Sequence, residues 1–142
     1  MIAKFVRLLP RFRNAARAIE ALAQREAWTR AQIEALHVEK LNKLWSHAVT
    51  HVPYYRRLAC EHALPEKFAS VAEFSDTVPL LPRLVVRDDP KDFLSVRARR
   101  GFWKCTSGSS GKPLMAFWSR DAHQESLYAK YRFQVEWGVN TF

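Results

Sequence analysis

Eight consecutive residues, Thr106, Ser107, Gly108, Ser109, Ser110, Gly111, Lys112 and Pro113, bring together four hydroxyls, two glycines and a lysine. Glycine allows backbone geometries in which successive amides point at one anion, hydroxyls add donors, and an ammonium supplies a point charge. The chemistry such a set suits is holding a phosphate chain. It supplies no nucleophile. A Walker A loop would place glycine where Thr106 stands and a hydroxyl residue where Pro113 stands, and the Gly-x-Gly-x-x-Gly pattern is also missing. The same composition also suits a plain, flexible hairpin loop.

Other chemistry-bearing pairs are sparser. His47 and His51 are four apart, but Ala48 stands where a His-Glu-x-x-His hydrolase needs its glutamate. Cys60 with His62 is too little for a zinc site, and Cys60 and Cys105 are too few for a disulfide framework. These readings leave no catalytic residue and no metal ligand assigned. The aromatic group Trp118, Tyr128, Tyr131, Phe133 and Trp137 could stack on bases, yet at helical spacing it is read as core or interface.

The loop needs strands to carry it. Phe102 to Thr106 and Leu114 to Trp118 have strand composition, which predicts strand, loop, strand, with Ser119 as N-cap of a helix carrying Leu127, Tyr131 and Val135 and ending near Gly138. Upstream, residues 15–49 hold neither glycine nor proline and are rich in helix formers. Ile33, Leu36, Leu41, Leu44, Trp45 and Ala48 form one apolar stripe on the predicted helix, and Thr29 offers a cap for a separate second helix. Pro53 ends this run and biases Val52 toward extended geometry. Residues 54–62 read as a short helical turn; Val71 to Phe74 and Arg87 to Phe93 read as further short helices among the prolines 65, 79, 82 and 90.

The chain is 142 residues long, enough for one compact core, with a formal charge of +9. Five cations, Lys4, Arg7, Arg11, Arg13 and Arg17, precede the first acid at Glu20. This 1–17 tail reads either as a solvated basic terminus or as a peripheral contact with anionic lipid. No apolar run approaches the length of a spanning helix and no secretory signal is evident, so the expected location is cytoplasmic.

The 106–113 loop resembles the signature phosphate loop of the adenylate-forming (AMP-binding) superfamily. Leu44-Trp45, His47-Ala48, Val52-Pro53-Tyr54-Tyr55-Arg56 and Leu81-Pro82 are similar, in order, to the lead-in of its phenylacetate-CoA ligase-like and capsule-biosynthesis adenylating branch. The resemblance runs from about residue 30 to the end. It implies an α/β fold: a mostly helical N-terminal region over residues 1–100, then the first strands and phosphate loop of the nucleotide-binding core over 101–142. It further implies ATP and Mg²⁺ as cofactors, a carboxylic acid as the substrate to be adenylated, and CoA or another acceptor for the acyl group. Thr106, Ser107, Gly108, Ser109, Ser110, Gly111 and Lys112 would bind the β and γ phosphates, with Ser109 and Ser110 the foremost contacts. Many members carry a lysine after the motif proline, whereas here Leu114 follows it and Lys112 precedes it. The later family elements, including the ribose-binding aspartate and the C-terminal catalytic lysine, are missing, so this chain reads as an N-terminal part with little ligase activity of its own. No nucleic acid is expected as a partner. Two other readings stand beside this one. The chain could be a non-catalytic basic helical module for anionic lipid or nucleic acid, or a truncated, inactive remnant.

Overall fold

The computed structural model describes residues 21, 22, 24–106 and 113–136. The basic tail at 1–17 and the predicted helix end near Gly138 lie outside them. A 3₁₀ turn at Arg25–Ala27 is followed by helices α1 (Arg30–His51), α2 (Pro53–Glu61), α3 (Val71–Thr77) and α4 (Arg83–Asp88). Strands β1 (Gly101–Cys105) and β2 (Met115–Ser119) come next, then helix α5 (Arg120–Glu136). The described chain is therefore mixed α/β, five helices with one two-stranded antiparallel sheet. Residues 31–119 make up one compact unit, and α5 belongs to a second.

The long helical run is divided, as the two-helix alternative had it: Trp28 is extended (φ −74°, ψ 141°) and α1 starts two residues later. At the other end Val52 is extended (φ −112°, ψ 117°) and Pro53 opens α2 at N1. The missing N–H of proline costs nothing there, since a first-turn amide has no intrahelical acceptor. What the sequence suggested as a short turn at 54–62 is thus a nine-residue helix.

Helix α2 ends in a Schellman motif. Leu64 N–H donates to Ala59 O at 2.9 Å and Ala63 N–H to Cys60 O at 3.3 Å. The motif needs a left-handed residue, and here alanine takes it, with φ 48°. An L-residue with a Cβ is strained in that region. Ala63→Gly should therefore stabilise the protein by about 0.5 to 1 kcal/mol, less the extra chain entropy glycine brings to the unfolded state. A urea titration checks this; an unchanged or lowered midpoint would show that the strain is absorbed elsewhere.

Only one side of the expected α1 stripe is buried. Trp45 is 3% exposed and Ala48 is also buried, whereas Leu44 is 67% exposed and Ile33 is exposed too. Trp45, Ala48 and Val52, at i, i+3 and i+7, are covered, whereas Leu44, about 40° from Ala48 around the helix, lies outside that cover. Around Trp45 the core is aromatic. Its ring meets Tyr55, Phe68 and Phe74 edge-on at centroid distances of 6.3, 5.7 and 5.9 Å, and its indole N–H donates to Pro65 O at 2.9 Å. Phe68, 2% exposed, comes from the loop before α3, and Asn42 fixes its backbone from both sides. Asn42 Nδ2 donates to Phe68 O and Phe68 N–H donates to Asn42 Oδ1, each at 2.8 Å.

Helix α3 begins where Ser70 Oγ accepts from Glu73 N–H at 3.0 Å, while Glu73 Oε2 accepts from Ala69 N–H at 2.6 Å. This is a capping box displaced by one residue at its acidic arm. The helix expected over 87–93 forms earlier instead, at Arg83–Asp88, because Pro82 suits an N-terminus and Pro90 cannot continue a helix. The segment after it is tied back to the helices. Tyr54 N–H donates to Asp92 O at 3.2 Å, Val96 N–H donates to His51 O at 2.8 Å, and Arg57 grips the Asp92 carboxylate with both terminal nitrogens. Phe93 stacks on Tyr54 at 4.3 Å.

Candidate functional site

β1 and β2 pair antiparallel in the register Gly101↔Ser119, Phe102↔Trp118, Trp103↔Phe117, Lys104↔Ala116 and Cys105↔Met115. Both strands sit one residue away from the spans expected from composition. Thr106 and Leu114 lie just beyond the ladder and close its neck. Thr106 N–H donates to Leu114 O and Leu114 N–H donates to Thr106 Oγ1, both at 3.0 Å.

Of the predicted phosphate loop, the described chain includes its two ends, Thr106 and Pro113. The Thr106 hydroxyl oxygen is engaged as an acceptor by Leu114, which leaves its own proton free to be donated, since a hydroxyl both donates and accepts. Ser107, Gly108, Ser109, Ser110, Gly111 and Lys112 lie outside the described residues. They connect the two sides of the closed neck.

Side chains alternate across the ribbon. Phe102 and Lys104 share one face of β1, and Lys104 Nζ rests over the Trp118 ring at 4.5 Å and near Phe102 at 5.5 Å. Lys104 is thus a cation two residues from Thr106 in sequence. Sequence reasoning passed over it, although its place in the alternation Phe102, Lys104, Thr106 was readable. On the other face Trp103 and Phe117 meet edge-on at 5.6 Å, and Cys105 Sγ lies 3.0 Å from Met115 Sδ. Cys60 and Cys105 are both free thiols.

Among the described residues there is no group of three or more His, Cys, Asp or Glu side chains placed to hold an ion. His47 and His51 do meet, with ring centroids 4.9 Å apart. Of the tail aromatics, the Trp118 side chain belongs to the ribbon, and the side chains of Tyr128, Tyr131, Phe133 and Trp137 lie outside the described set. No described helix is long and apolar enough to cross a membrane. No protein-family model, no curated protein and no solved structure matches the chain.

Proposed function

We propose that this chain carries the phosphate-binding hairpin of an ATP-dependent carboxylate-activating ligase of the adenylate-forming kind. In the reaction of such a ligase the acid's oxygen attacks the α-phosphorus, the acyl-adenylate forms, and pyrophosphate leaves before the acyl group passes to CoA or another acceptor. The single observation that supports the reading is the closed neck at Thr106 and Leu114. It ties together the two ends of a stretch of sequence rich in donors and leaves the Thr106 hydroxyl proton available. In this reading Thr106, Ser107, Ser109, Ser110 and Lys112 donate to the β and γ phosphates, the amides around Gly108 and Gly111 complete the cradle, and Lys104, two residues before Thr106, adds positive charge. Mg²⁺ would accompany the phosphates and is assigned no ligand from the described chain.

Binding of Mg·ATP to the chain, followed by equilibrium dialysis, tests this. Pyrophosphate is expected to compete and AMP is not, because the contacts lie on the departing phosphates. Replacing Ser109 and Ser110 together by alanine should weaken binding at least tenfold, since hydrogen bonds to a charged group contribute about 1.5 to 3 kcal/mol each. AMP competing as well as pyrophosphate would overturn the assignment. Binding that survives the double substitution but falls steeply with salt would favour the basic lipid- or nucleic-acid-binding module instead.

A further inference from the structure

A second cluster of basic side chains lies at the C-terminal end of α1, away from the hairpin in sequence. His47 and His51 stand one turn apart with their rings 4.9 Å from each other. Arg56, from the first turns of α2, reaches back so that its Nη2 donates to Thr50 O at 2.5 Å. The segment after Asp92 supplies the third side. Val96 N–H donates to His51 O at 2.8 Å, which sets the next residue, Arg97, beside the histidine. Arg97 is exposed, and its backbone N–H is held by Ser95 Oγ at 3.2 Å.

Neighbouring cations are treated differently. Arg57 is matched by Asp92, Lys43 by Glu39 and Arg87 by Asp88, but no ion pair among the described residues engages Arg56 or Arg97. We propose that His47, His51, Arg56 and Arg97 form a binding patch for a phosphate group, distinct from the hairpin loop and independent of the ligase reading.

Two ligand classes fit paired imidazoles, and the surrounding charge separates them. Histidines at i and i+4 can chelate a transition metal, but two guanidiniums beside them oppose any cation. A phosphate takes the opposite sign from both guanidiniums, whose forks match its oxygens, and each imidazole can donate a ring N–H to it.

The electrostatics of His51 agree with an anion site. Partial burial, then Arg97, His47 and Arg56, hold its imidazole below the ordinary histidine range. These are the titratable groups that face it, from its own helix, from α2 and from the returning segment: two guanidiniums and an imidazole, with no acid among them. With its folded pKa depressed, His51 favours the fold while neutral, and that contribution is lost as pH falls through the folded pKa. A bound phosphate reverses the balance by stabilising the imidazolium, so binding takes up a proton and strengthens on acidification.

The test is an NMR titration of the His51 ring in the full chain at constant ionic strength, with inorganic phosphate against chloride. Phosphate should raise the His51 midpoint by about half a unit or more. Its affinity should be several-fold higher near about pH 5.5 than near about pH 8. Arg97→Ala, at an exposed side chain, should remove at least half of the midpoint shift, while Lys67→Ala, an exposed cation elsewhere, should leave it intact. An equal shift in chloride, or a shift indifferent to Arg97→Ala, would overturn the proposal. So would binding of Zn²⁺ without phosphate binding, or attachment to vesicles containing phosphatidylserine with no response to free phosphate.

Discussion

Trp45→Ala is expected to abolish cooperative folding of the helical region. Trp45 links three elements: its ring contacts Tyr55 of α2, Phe74 of α3 and Phe68 of the loop between them, and its N–H ties down Pro65 O. Truncating a buried aromatic residue to alanine costs about 3 to 5 kcal/mol, from lost transfer energy and from the cavity left behind. Among the described residues the buried apolar set is small, comprising Trp45, Ala48, Val52, Leu58 and Phe68. A domain of this size has only about 5 to 15 kcal/mol in total. The side chain holding the largest share of that core cannot be removed without leaving the rest marginal. Trp45→Phe isolates the polar part, since it keeps most of the ring and leaves Pro65 O without its partner; that variant should lose only about 1 to 3 kcal/mol. Thermal melts followed by near-ultraviolet circular dichroism distinguish the cases. A Trp45→Ala protein melting within a few degrees of the wild type would mean that the aromatic cluster does not organise the fold.

The parts of this architecture readable in sequence are those set by local chemistry. Pro53 announces a break, and the aromatic and β-branched run bounded by Gly101 announces a strand, because each residue acts on its own backbone. Long-range partnerships were not readable. Asn42 looks like an ordinary solvated helix residue until Phe68 folds against it from 26 positions away. Phe68 itself lies in a loop with no periodicity to betray its burial. Leu44 fits a helical stripe as well as Trp45 does, and only the position of α2 and α3 decides which of the two is covered. The left-handed Ala63 carries no signal at all, since glycine is what normally marks such a site. For the candidate site the balance is similar. Thr106 was recognised from composition, but its double tie to Leu114 depends on strand register, as does the placing of Lys104 over Trp118.

Gly101→Ala should open the hairpin at its base. Gly101 pairs with Ser119, and a Cβ added there would lie 2.3 Å from Trp118 O and 2.5 and 2.7 Å from the Cζ and Cε1 atoms of Phe117. The Phe117 ring, as the far end of a side chain, can swing aside, although doing so gives up its edge-on contact with Trp103. The carbonyl of Trp118 cannot move alone, because it belongs to the backbone of β2. Relief therefore requires the strands to part or the register to slip, and overpacking of this kind costs about 1 to 3 kcal/mol. That is a small loss for a whole domain but a large one for a two-stranded ribbon, which is marginal by itself. The expected readout is loss of Trp103–Phe117 cross-strand NOEs and faster hydrogen exchange at β1 and β2 amides, with α1 and α2 unaffected. If the loop between the strands holds the phosphates of ATP, the same substitution should also weaken Mg·ATP binding without altering any donor, because the Thr106–Leu114 neck depends on the register that Gly101 permits. Persistence of the native NOEs would show that the ribbon absorbs a methyl group. An opened ribbon that binds nucleotide as tightly as before would separate the hairpin from nucleotide binding altogether.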